Sequence, residues 1–282
     1  MKTNPSSSVP DTAEQARIRS VQQLAYRTAE GVARELRPGI TERQAAARLK
    51  RRLIEEGVED WFHVPFAWFG DRTTLKGFRN PLKFFPSNRR LEEGMPYILD
   101  VAPVRDGFTA DIGYSGCLGA NPIFDQMMVD LAMYRTLILE QVRERRTFRA
   151  IYEGVDQLAA THGYTPAHHA YPGKVLAHQV WPVHGGGPRT VVAGFGNKSL
   201  RLLGRSLSVS LGEGWSPLWN GSRRSDHMPV PGIWAIEPHL GFHGVGVKFE
   251  EVLVVTDDDA YWLDDDLPHV RRWRTEDAAV AS

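Results

Sequence analysis

The stretch YILDVAPVRDGFTADIGYS, residues 97–115, decides the fold. Apolar residues alternate on both sides of Arg105-Asp106-Gly107, and Gly after Asp is a hairpin-turn signal, so two antiparallel strands are predicted. Asp100 and Asp111 fall inside them, where carboxylates are disfavoured. Folding the pair about Arg105 and Asp106 sets Asp100 opposite Asp111; a turn shifted by one residue makes them near neighbours. Like charges facing each other destabilise a strand pair. A divalent cation between them turns that repulsion into shared attraction.

One cation requires more donors than two aspartates, and later apolar runs supply them. Glu237 lies in IWAIEPHL, and Glu250, beside Glu251, lies in GVKFEEVLVV. His178 lies in VLAHQVW, with His168 and His169 as rivals for the same role. Four carboxylates and one imidazole form a hard, oxygen-rich set that suits Mn, Fe, Co or Zn better than a thiolate site does. Five ligands exceed what one ion with an open position needs, so two divalent ions about 3.5–4 Å apart, bridged by carboxylates, are expected.

The rest of the chain frames this site. Of 282 residues, 42% are hydrophobic and 24% charged, a globular composition long enough for a large core. Basic and acidic side chains balance at 34 each, which gives no electrostatic case for nucleic acid or an anionic membrane. Cys117 is the single cysteine, so no internal disulfide exists. It reads as a small apolar residue, and a cytoplasmic setting is expected, since no stretch matches a leader or a membrane span.

Residues 1–10 are Ser/Pro-rich and expected to be disordered. A helix is predicted from Asp11 to about Leu36, and a second opens at Thr41 with a Thr41/Gln44 capping box. The aromatic run WFHVPFAWF (61–69) reads as core, as a homodimer contact or as the lining of an apolar pocket, with Trp68 and Phe69 as candidate lining residues. Helices are predicted over Asp125–Arg149 and Ile151–His162, then β and loop signals to the charged tail 264–282, expected to be peripheral. No repeat is present, and the pattern is α+β, with an antiparallel sheet flanked by helices.

The order Asp100, Asp111, His178, Glu237, Glu250 resembles that of the pita-bread metallopeptidases, the group of methionine aminopeptidase, aminopeptidase P and prolidase. ELRPGIT (35–41), LEEGMPYILDVAPVRDGFTADIGYS, IEP (236–238) and KFEEVLVVTDD (248–258) carry the likeness, which covers roughly residues 12–263. It implies the pita-bread fold, a single catalytic domain over 11–263 and a size nearest to methionine aminopeptidase. Its register picks Glu250 over Glu251 as ligand. It implies two divalent ions and a hydrolase that cleaves an amide C–N bond with a metal-bound hydroxide. Glu237 would shuttle the proton, with His184 and His63 near the developing oxyanion.

The sequence also departs from that pattern. The His178 motif reads LAHQV, His184 is the nearest match to the family's second histidine, and no histidine lies between Gly70 and Leu99. The missing histidine predicts weak turnover of simple methionyl or prolyl peptides. An insertion over 188–230 separates His178 from Glu237 without a clear helix or strand period. It is expected as a lid or a dimer arm, with Trp215 and Trp219 facing substrate and Arg223 and Arg224 clamping a substrate carboxylate. The substrate is a peptide or a small molecule. Two alternatives share the fold: action on a specialised small molecule, by non-peptide C–N cleavage or iron- and oxygen-dependent chemistry, and a non-catalytic binding module.

Overall fold

The computed structural model describes residues 9–183 and 190–280; the N-terminal eight residues and His184 lie outside them. Helix α1 (Thr12–Ala33) starts at Asp11, whose carboxylate accepts from the Glu14 amide while Glu14 reaches back. Helix α2 (Glu42–Glu55) starts at Thr41 with the predicted reciprocal Thr41/Gln44 cap. Their apolar stripes, including Leu24, Val32, Leu49 and Leu53, are buried against the strands that follow.

Strand β1 (Asp60–Phe69) is the aromatic run, and it pairs antiparallel with β2 (Pro96–Arg105). Two register shifts, one between Trp61 and His63 and one between His63 and Phe66, let both His63 and Phe66 turn towards the same cavity. The hairpin then turns at Asp106 and Gly107, whose φ values of 52° and 78° are the left-handed pair that a two-residue turn requires. Val104 faces Thr109 in β3 (Phe108–Thr109), and Asp100 faces Gly113 in β4 (Ile112–Cys117). The turn is therefore shifted by one residue from the first expectation, and the strand pairing by two. Asp111 sits in the break between β3 and β4, diagonal to Asp100.

Helices α3 (Pro122–Arg143) and α4 (Phe148–Thr161) follow, each ending earlier or starting sooner than the periodicity alone suggested. Next come β5 (Thr165–Pro166), β6 (Ala177–Val180), β7 (Val191–Val192) and β8 (Phe195–Gly196). The insertion contains a helix, α5 (Asn197–Glu213), that the sequence reading did not foresee, because its Gly and Ser residues blur the apolar period. After β9 (Leu218–Trp219) come β10 (Gly232–Ile236), β11 (His239–Phe242), β12 (Val245–Lys248), β13 (Glu251–Val255) and β14 (Ala260–Trp262).

The strands form three antiparallel groups. One runs β3-β2-β1-β8-β7 with β4 on β2, one runs β14-β13-β10-β6-β9, and the third is β12-β11-β5. A bridge between Gly113 and Glu250 ties the first group to the end of the chain. The tail is not peripheral: helix α6 (Pro268–Val280) buries His269, Val270 and Trp273, and the Trp273 indole donates to the Met128 carbonyl. Among the described residues, no helix is long and apolar enough to cross a membrane.

Candidate metal centre

Each expected ligand is delivered from a different place in the sheets, and all are buried. Asp100 comes from the middle of β2 and Asp111 from the β3–β4 break. His178 comes from β6 opposite Ala235, and Glu237 follows β10, its amide donating to the Leu176 carbonyl. Glu250 sits in the kink between β12 and β13. Two groups of donor atoms, each drawn within 4.8 Å of one another, result: Asp111, His178 and Glu250 form one, and His63, Asp100 and Asp111 form the other.

His63 thus brings a second imidazole to the centre. Its Nε2 lies 2.9 Å from Asp111 Oδ1 and 3.1 Å from Asp100 Oδ1. Its Nδ1 lies 2.9 Å from the Val64 carbonyl, and His178 Nδ1 lies 3.2 Å from the Gln179 carbonyl. A carbonyl only accepts, so in both rings Nδ1 carries a proton and Nε2 faces the centre, one of the two orientations in which an imidazole binds a metal. Phe66 stacks on His63 at 5.1 Å between centroids and Phe62 on His178 at 5.0 Å, which fixes both ring planes.

The electrostatics follow from burying four carboxylates together. Burial opposes charge on His63 and His178, yet the neighbouring Asp111 raises both imidazoles above their ordinary value. Burial pushes Asp111 up, but the charges and hydrogen bonds of His63 and His178 outweigh it and hold it well below the usual carboxylate range. Glu237 and Glu250 go the other way, raised chiefly by burial, with Asp111 adding to the rise at Glu250. The donor set fits a divalent ion, because it offers hard oxygens and two oriented imidazoles that compensate one another only with protons in its absence.

A residue that the sequence reading passed over lies in the middle of this set. Lys248, only 1% exposed, places Nζ 2.7 Å from Asp100 Oδ2, 2.7 Å from Glu250 Oε2 and 3.0 Å from Glu237 Oε2. Nζ also donates to the Tyr171 hydroxyl at 3.0 Å. Spacing held the signal: Lys248 and Glu250 are two residues apart at a strand end, hence on one face.

The centre forms the floor of a cavity of about 350 Å³. Phe62, Phe66, Trp68, Phe84, Phe85 and Phe195 are among its lining, with Leu203 and Leu218 from the insertion. Trp68 is thus in place as a wall, held by an indole bond of 2.7 Å to the Phe84 carbonyl. Phe69 is not: it is fully buried in the main core, on the opposite side of the strand. Trp219 packs on Phe148, with ring centroids 3.9 Å apart, and Trp215 is buried, so neither faces the cavity. Arg223 and Arg224 are exposed and do not line it, which removes the expected carboxylate clamp. His168 and His169 pair with Asp156 at a separate place.

Comparison with known proteins agrees with this fold. The profile described as Metallopeptidase family M24 matches residues 16–257. X-Pro aminopeptidase from Thermotoga maritima MSB8 superposes with a TM-score of 0.68 at 17% identity, over 93% of this chain and 63% of that one. Prolidase from Thermococcus sibiricus gives 0.63 at 15% identity, over 93% and 62%. Dipeptidase PepE from Mycobacterium ulcerans gives 0.64 at 18% identity, over 93% and 60%. The chain therefore spans somewhat less than two thirds of the length of these proteins. No curated protein matches it.

Proposed function

The chain belongs to metallopeptidase family M24, and from that premise we propose that it is a metal-dependent hydrolase that cleaves an amide C–N bond beside a bulky apolar group. The observation that carries this reading is the convergence of Asp100, Asp111, His178, Glu237 and Glu250 on the floor of an aromatic cavity. Asp111, His178 and Glu250 are the residues that would hold the ion. A bound divalent ion supplies Lewis-acid polarisation and acidifies a coordinated water.

The chain's own groups do the remainder. Glu237, with its pKa raised by burial, accepts the proton of the attacking water and returns it to the leaving nitrogen as the C–O bond forms and the C–N bond breaks. His63 faces the same space and donates to oxygen there, which suits stabilisation of a tetrahedral oxyanion. The aromatic walls exclude water and seat the apolar group. With Arg223 and Arg224 outside the cavity lining, specificity rests on that apolar fit.

The test is an assay of chain reconstituted separately with Mn, Fe, Co and Zn, against peptides and amides that differ in apolar bulk beside the scissile bond. Metal-dependent cleavage that rises with bulk and disappears in Glu237→Gln supports the reading. Absence of cleavage with every metal and every amide overturns it. A second reading is favoured by Asp111 standing between the two imidazoles, with Oδ1 on His63 and Oδ2 on His178, since two imidazoles and a carboxylate also suit non-haem iron. Oxygen consumption by the Fe(II) form with an apolar substrate, without C–N hydrolysis, would favour that reading over the first.

A further inference from the structure

We propose that the Lys248 ammonium permanently occupies one of the two cation positions of this centre, so that the site takes one divalent ion per chain, not the pair expected from the five-ligand set. The inference rests on the metal-dependent reading above. Its geometric basis is that Asp100, Glu237 and Glu250 each commit one oxygen to Nζ, at 2.7, 3.0 and 2.7 Å. A metal ion bound by the same three oxygens would stand where the nitrogen stands. Two cations do not share one place, and only Asp111 of the four carboxylates gives no oxygen to the lysine.

The lysine is held there by contacts that do not involve the carboxylates. Its backbone is fixed on both sides by Ser115, whose hydroxyl accepts from the Lys248 amide at 2.9 Å and donates to the Lys248 carbonyl at 2.7 Å. The aliphatic stem lies in a notch left by Gly113: a Cβ at that position would come within 2.4 Å of Lys248 Cε. The far side of the ammonium is received by Tyr171, whose hydroxyl in turn donates to His239 Nδ1 at 2.9 Å, while His239 Nε2 donates to the Thr73 carbonyl at 2.6 Å. A side chain seated by its backbone, its stem and a relay of three further residues is a built part of the centre. A carboxylate cluster merely relaxed around a nearby cation needs none of these.

The place left for an ion is the Asp111, His178 and Glu250 group, where His178 Nε2 and Asp111 Oδ2 stand 3.4 Å apart. The other group is closed by direct contacts of His63 with Asp100 and Asp111 at 3.1 and 2.9 Å. One ion plus one ammonium keeps two positive centres among the carboxylates, the number that a pair of ions would provide. The substitution exchanges a removable, redox-capable cation for a fixed one.

The experiment is a titration of the full chain with Mn(II), read by elemental analysis after gel filtration and by electron paramagnetic resonance. Wild type should take up one ion per chain and give an isolated six-line signal. Lys248→Met should take up a second ion and give an exchange-coupled signal, and Lys248→Arg should stay at one. Two ions or a coupled signal in wild type overturns the proposal, whether or not the variants fold, and so does a folded Lys248→Met that stops at one. Failure of wild type to bind Mn, Fe, Co or Zn overturns the metal-dependent reading itself, and this inference with it.

Discussion

Gly113 and Lys248 are matched across the bridge between the hairpin and the last strands: the missing side chain of one is the channel for the stem of the other. An alanine at 113 would place its Cβ 2.8 Å from Lys248 Cδ and 3.1 Å from Cγ as well. The lysine would have to withdraw from three carboxylates. Overpacking of this kind costs about 1–3 kcal/mol. Gly113→Ala is therefore expected to lower stability by that amount in chemical denaturation without added metal. An unchanged midpoint would mean that the stem has another route.

Asp111 is the carboxylate on which both imidazoles converge, and the lysine leaves it free. Asp111→Asn keeps the shape and removes the charge. It should lose most bound metal and reduce kcat/KM by more than about 100-fold, since changes one shell further out already cost 10- to 100-fold. Full metal retention by this variant, read by elemental analysis, would remove Asp111 from the ligand set.

Glu250 and Glu251 are neighbours with opposite duties. Glu251 is fully buried and pairs with Arg135 at 2.7 Å and with His269 at 3.1 Å, away from the cavity. Removing one partner of a buried pair strands the other, at about 3–5 kcal/mol. Glu251→Gln should thus unfold at lower denaturant while the folded fraction binds metal normally. Glu250→Gln, which also leaves a buried partner in Lys248, should in addition lose metal in its folded fraction. If both variants lose metal and stability in the same proportion, the division of labour is wrong.

These two glutamates mark where the sequence was legible. Helix caps at Asp11 and Thr41 are local devices, readable from residues three apart, and both formed. The paired aspartates were readable because charge inside an apolar strand demands a partner. The turn lies one residue later than the first expectation because Arg105 can pair with Phe108 once Asp106 and Gly107 both take left-handed backbone. Lys248 was missed because a lysine at a strand end ordinarily points to water. His63 was hard to place because strand irregularities on either side of it, not sequence spacing, turn it inwards. In the tail, charged neighbours hid the buried face of Val270 and Trp273.

The acid limb of stability should report His239. Burial, followed by the charge of Lys248, lowers its pKa from 6.5 to about 3. The sign follows directly. Below pH 6.5 the unfolded chain binds a proton that the folded chain refuses, so stability is complete above 6.5 and falls as pH drops towards 3. The slope from this residue is at most about 1.4 kcal/mol per pH unit. Lys248, Tyr171, His168, Asp100 and the Thr73 carbonyl are the other groups whose charge or hydrogen bond faces it. Melting temperatures of wild type and His239→Asn, followed from neutral pH down to about 4, should converge as pH falls. Parallel curves would assign the acid loss elsewhere.

The cavity wall separates apolar fit from charge recognition. Phe195 stands with its ring centroid 6.0 Å from Phe62 and 6.1 Å from His63, so it contacts both the wall and one of the two imidazoles. Leu203, on α5, lines the same space from the insertion. Phe195→Ala removes apolar surface while leaving every candidate ligand side chain in place, and Leu203→Arg places a charge in the wall. Both should raise KM for a bulky apolar substrate with a smaller change in kcat, which is the mark of lost uniform binding. Metal content should not change. The double replacement Arg223→Ala with Arg224→Ala should leave KM unaltered, because both residues are exposed and neither lines the cavity. A KM that rises in the arginine variant and stays fixed in Phe195→Ala would reverse the assignment, making the substrate an anion held at the rim and not an apolar group held by the aromatic walls.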